Sequence, residues 1–187
     1  RHLRYAARLV LEHQPCRWWQ TRALQERNAQ ALIQASIALC RAQNGTDSEI
    51  QQKICAALDK ISWSILSQSE KIDLLRAYQL AIIRLGIPTA KLQSRLLDRL
   101  NPLFPDASGN VNSELCQLLV ALKSPLVVAR TLDLIATSKT QEEKIGYMLF
   151  LRLPGLEWTK QQRQRYFQWF KKFWNFQHLS LYKREIK

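Results

Sequence analysis

The chain has 187 residues, 47% of them apolar, with only 5 glycines and 6 prolines. That length supports one domain with a sizeable core, and so few turn residues exclude a β-sandwich or barrel in favour of helices. The charge is lopsided, 28 Lys and Arg against 15 Asp and Glu for a formal +13, which suits polyanions in general without choosing among nucleic acid, an anionic membrane and an acidic protein.

Leu3, Ala6, Ala7 and Val10 make an i, i+3, i+4, i+7 stripe, so the chain opens in a helix. No cap precedes it, and the expectation is a segment of a longer polypeptide. Pro15 ends this helix, and a short one follows through Trp18, Trp19 and Leu24. Asn28 is placed to cap a third, with Ala31, Leu32, Ala35, Leu39 and Ala42 on one face. Asp47, after a Gly45-Thr46 turn, is placed to cap a fourth through Ile50, Ile54, Leu58 and Ile61. Ser67-Gln68-Ser69-Glu70 reads as a capping box before the longest periodic run, which Gly86 closes. Pro88 is expected to start the next helix, with Leu92, Leu96, Leu97 and Leu100 inward.

Pro102 to Asn110 is the one long breaker-rich stretch, and 102–111 is the candidate joint between two halves of a single 1–187 helical domain. Leu115, Leu118, Leu119 and Leu122 follow. Ser124-Pro125 is expected to restart the helix with proline in its first turn, and Val128, Leu132 and Ile135 continue it. Thr140-Gln141-Glu142-Glu143 and Thr159-Lys160-Gln161-Gln162 are two further capping boxes, on either side of a Pro154-Gly155 break. The reading is all-α, about ten helices arranged as stacked antiparallel hairpins in an α-solenoid. The internal repeat is faint. Its best match pairs Ile61-Ser62-Trp63-Ser64 with Leu156-Glu157-Trp158-Thr159, and burial of Trp63 and Trp158 between hairpins is expected from it. A compact, non-repeating helical domain is the alternative.

Chemistry has few footholds. His2, His13 and His178 show no HxxxH or HExxH spacing. Glu142-Glu143 and Asp47 with Glu49 are the acidic clusters, and helix N-termini account for both. There is no GxGxxG, P-loop or GxSxG. Cys16, Cys40, Cys55 and Cys116 have no metal-ligand spacing, and the last three fall on apolar helix faces, as buried small hydrophobes do, with disulfides as the alternative. No stretch is apolar for the roughly 18 residues that a membrane span needs. No catalytic, cofactor-binding or metal-binding residue is therefore assigned, and whether a parent protein is an enzyme stays open.

The sharpest positive signal is the end of the chain. From Thr159 onward there are eight basic residues and one acidic, a charge of +7. Tyr166-Phe167-Gln168-Trp169-Phe170-Lys171-Lys172-Phe173-Trp174 interleaves aromatics with bases. Phe167, Phe170 and Trp174 form an apolar stripe at helical spacing, suited to a core-facing side with a solvated basic back. The same residues could stack on nucleic-acid bases or lie in a membrane interface. Docking of a partner domain is the preferred functional reading, with Arg163, Arg165, Trp169, Lys171, Lys172 and Trp174 as the expected partner-binding residues.

Several runs resemble one family. Asn112-Ser113-Glu114-Leu115-Cys116-Gln117-Leu118-Leu119-Val120, Ser124-Pro125-Leu126-Val127-Val128, Thr140-Gln141-Glu142-Glu143, and Trp158-Thr159 with Gln162-Arg163 and Tyr166 to Phe170 are similar to segments of large planctomycete-type secreted proteins described as haem-binding or membrane-bound-dehydrogenase-like. Arg4 to Arg8, Glu12 to Pro15 and Lys71 to Tyr78 extend the resemblance over nearly the whole chain. It implies a HEAT-like helical segment between an N-terminal propeller-like domain and a C-terminal c-type cytochrome domain, in a periplasmic or extracytoplasmic setting. Asn175 to Ser180 departs from the family's Gly-Gly-His-Ser-Phe-like stretch. These residues contain no CxxCH, so haem c is expected elsewhere in the parent chain and on no residue here. The expected function is a non-catalytic scaffold or interaction module that links or docks domains of a larger redox protein. The alternative is a polyanion-binding protein, for nucleic acid or an anionic membrane, acting through the basic aromatic C-terminal helix.

Overall fold

The computed structural model describes residues 2–153 and 155–171. Among them the protein is all-α, ten helices with no strand: α1 His2–Glu12, α2 Gln20–Leu24, α3 Ala29–Ala42, α4 Ser48–Leu58, α5 Gln68–Leu85, α6 Ala90–Leu100, α7 Gly109–Ala121, α8 Val127–Thr137, α9 Gln141–Leu151 and α10, residues 160–171. Short 3-10 turns at Cys16–Trp18, Trp63–Ile65 and Asn101–Leu103 join some of them. The chain forms two compact units, 1–122 and 123–187.

Side-chain caps set most helix starts. Asn28, Asp47, Thr89, Ser108 and Thr140 each accept a backbone N–H of the first turn, and Ser67 with Glu70 makes the full reciprocal box. Two expected proline starts are displaced. α6 begins at Ala90 under a Thr89 cap, because a threonine oxygen can satisfy the amide of Leu92, which Pro88 cannot. α8 begins at Val127, where Pro125 lies in a turn held by the Leu126 amide donating to Ser124 Oγ.

In the first unit α1, α3, α5 and α7 pack as a row, each against the next. The other three helices pack against this row, α2 and α4 on α3, α4 also on α5, and α6 on α7. The core is aliphatic: Ile33, Leu39, Ile54, Leu58, Leu75, Leu85, Leu96 and Leu115 are essentially inaccessible. Cys40, Cys55 and Cys116 are buried among them, and Cys16 is half-buried. Polar groups staple the row. The Gln51 amide donates to the carbonyls of Ala81 (3.1 Å) and Gly86 (2.6 Å), tying α4 to the end of α5. Glu114 of α7 accepts from Arg76 and Gln79 of α5. Asp59 accepts from the Tyr78 hydroxyl at 2.6 Å and pairs with Arg95 of α6 at 3.1 Å.

The breaker-rich stretch 102–111 lies inside the first unit. Phe104 is buried, and Asp106 accepts from Lys71 Nζ (2.9 Å), Trp63 Nε1 (3.3 Å) and the Ser108 amide (3.0 Å). The Asn112 side chain, itself buried, exchanges two hydrogen bonds with the Asp106 backbone. Trp63 and Trp158 are half-buried rather than enclosed. Lys71 sits over the Trp63 ring at 4.9 Å, so one indole face meets a cation where the spacing suggested apolar packing.

In the second unit α8 packs on α9. Val127, Val128, Leu132 and Ile135 of α8 and Tyr147, Met148 and Leu151 of α9 are buried.

Candidate interaction surface

α10 is fastened at its start and along one side. Thr159 and Gln162 cap it reciprocally: the Gln162 amide donates to Thr159 Oγ1 at 3.2 Å, and the Thr159 amide to Gln162 Oε1 at 2.8 Å. One turn on, the Tyr166 hydroxyl donates to the Met148 carbonyl of α9 at 3.1 Å. The Tyr166 ring meets Trp158 edge-on at 5.1 Å and Phe170 at 5.2 Å. Burial holds the Tyr166 hydroxyl above its ordinary pKa, against the lowering influence of Arg152. Arg165 pairs with Asp133 of α8 at 2.8 Å.

Tyr166 and Trp169 are the half-buried aromatics of α10. Phe167 and Phe170, expected to face the core, are 61% and 42% exposed. For Phe167 the reason is geometric: once Tyr166 reaches the Met148 carbonyl, helical spacing turns this neighbour outward, whereas Phe170, one turn on, stays on the Tyr166 side and keeps an edge contact with it. A groove of about 270 Å³ runs beside the helix, lined by Leu151, Arg152, Leu153, Trp158, Arg163, Tyr166 and Phe167. Leu149 and Leu153 of the adjoining segment are also about half exposed.

The expected partner-binding residues therefore divide. Arg163 lines the groove. Lys171 is exposed at the end of α10, and Trp169 packs edge-on against Phe170 at 5.3 Å. Arg165 is committed to Asp133 within the unit. Lys172 and Trp174 lie outside the described residues. The sequence reading missed the exposure of Phe167 and Phe170, and no periodicity could have given it, because the helix carries aromatics on most of its circumference. It also passed over a cavity beside Trp18 and Trp19 in the first unit, whose only sequence signal is the adjacent pair of indoles.

Elsewhere the interior acids Asp59, Asp106 and Glu114 accept hydrogen bonds that tie one helix or loop to another, as described above. Among the described residues no three His, Cys, Asp or Glu side chains cluster as metal ligands. No described helix is long and apolar enough to cross a membrane. Comparison with protein-family models, with curated proteins and with solved structures gives no match.

Proposed function

We propose that the chain is a helical scaffold module that works by docking a neighbouring domain or protein partner, without chemistry of its own. The observation that carries this reading is α10: a helix anchored by Tyr166 and Thr159 that leaves Phe167 and Phe170 in solvent beside a groove containing Arg163. Large exposed aromatics with an arginine, on a rigid support, are the composition of interface anchors. The family resemblance extends the reading: the module is HEAT-like, the parent is extracytoplasmic, and the docked neighbour belongs to a c-type cytochrome-containing protein.

A photo-crosslinking residue at position 167 of the native polypeptide tests it. Crosslinks to protein outside these 187 residues are expected, and a visible haem spectrum in the same material would identify the redox parent. Crosslinks confined to nucleic acid or lipid, with affinity falling steeply as salt rises, would replace it with the polyanion-binding reading.

A further inference from the structure

The first unit carries a half-open cavity of about 590 Å³ lined by residues of α1, α2, α3 and the turn before α2, within the range of about 300–1,000 Å³ usual for small-molecule sites. Ala7, Ala23, Ala31 and Ala35 line it with short side chains. Trp18 and Trp19 line it as well. The Trp19 indole N–H donates to the Gln14 carbonyl at 3.3 Å, which holds that ring in place. Trp18, on the 3-10 turn Cys16–Trp18, is 69% exposed. An indole left mostly in water beside an apolar cavity offers surface for stacking.

Three charged side chains border the cavity: Arg8, Arg22 and Glu26. Arg8 forms an ion pair at 3.4 Å with Glu12, which also pairs with Arg41, and its Nη1 donates to Gln34 at 3.3 Å. Glu26 accepts the backbone amides of Asn28 (2.8 Å) and Arg27 (2.7 Å), which hold its carboxyl below the ordinary carboxylate pKa. Its Oε1 is thus spent on the turn before α3. The Arg22 side chain is exposed and has no hydrogen bond or close ion pair among the described residues, although its charge adds to the lowering of the Glu26 carboxyl. The cavity therefore offers two indoles for a flat apolar body and one guanidinium fork for a planar anion. A cationic ligand would meet two arginines, and a plain hydrocarbon would leave the Arg22 guanidinium without a direct ion pair.

We propose that this cavity binds a small aromatic carboxylate, with its ring against Trp18 and Trp19 and its carboxylate on Arg22. The probe is 2-naphthoate, titrated into the 187-residue protein by calorimetry and by tryptophan fluorescence. Saturable one-to-one binding is expected. Trp18→Ala and Arg22→Gln should each weaken it by about tenfold or more, and both should keep wild-type helicity because both positions are exposed. The neutral analogue 2-naphthylmethanol should bind wild type about as weakly as 2-naphthoate binds Arg22→Gln. No saturable binding would overturn the proposal. So would binding indifferent to both substitutions, or the alcohol binding as tightly as the acid.

Discussion

Asp106 shows how one side chain can close a loop. Burial alone would push its carboxyl upward, but hydrogen bonds from Lys71, the Ser108 amide and Trp63 outweigh that and hold it below the ordinary carboxylate pKa. A carboxyl depressed in the folded state contributes stability above its unfolded pKa, and that contribution is lost as pH falls through the folded value. Asp106→Asn should cost about 1–3 kcal/mol at neutral pH and should remove part of the loss of stability expected below about pH 4. Urea melts at pH 7 and pH 3 read both effects, and parallel acid slopes for the two proteins would deny Asp106 this role. The cysteines behave oppositely. Burial pushes the Cys40 and Cys55 thiols from 9.0 up to about 12. Their neutral form is the folded form, so their contribution is complete below about pH 9 and is lost as pH rises towards 12. In the native protein at pH 8, Cys16 should react with a disulfide reagent well before Cys40, Cys55 and Cys116. Comparable rates for all four would mean that the α3–α4 core opens readily.

At the scale of the element, capping decides where helices begin and glycine where one of them ends. Ser67 is exposed, and its oxygen serves the Glu70 amide while Glu70 returns a bond to the Ser67 amide. Ser67→Ala should destabilise by about 1 kcal/mol, and Ser67→Asp should restore most of it, as read by thermal melting. A full loss with either residue would point to packing instead. Gly86 ends α5 at φ +107°, and a Cβ there would meet Thr46 Cγ2 at 3.1 Å. Gly86→Ala should cost about 1–3 kcal/mol, measurable as a lowered denaturant midpoint. These two positions were legible from residue type and spacing, because capping is a local contest for backbone amides. The starts of α6 and α8 were not, because a nearby threonine or serine oxygen competed with the proline signal.

The whole molecule is two compact units, each with its own buried residues. A chain ending at Leu122 should keep cooperative melting and helical circular dichroism, because the row α1–α3–α5–α7 and the helices packed on it lie within 1–122. A molten, non-cooperative product would mean that the core of the first unit depends on later residues. The composition of 102–111 marked a joint, yet the boundary between the units falls after Leu122. Breaker residues report where helices stop. Whether a loop separates units depends on what its side chains reach, and Phe104, Asp106 and Asn112 reach inward.

Helix class, most helix boundaries and the burial of Cys40, Cys55 and Cys116 were legible in the chain, since each depends on residues within one or two turns of each other. The order of packing, the Asp106 and Glu114 staples, the outward turn of Phe167, the partial exposure of Phe170, and the cavity beside Trp18 were not. They depend on side chains distant in sequence, such as Lys71 with Asp106 or Tyr166 with the Met148 carbonyl. Periodicity says that a helix has an apolar face. It cannot say which of several apolar residues wins the buried position when the helix meets its neighbour, because that choice is made by contacts that exist only after the chain has folded.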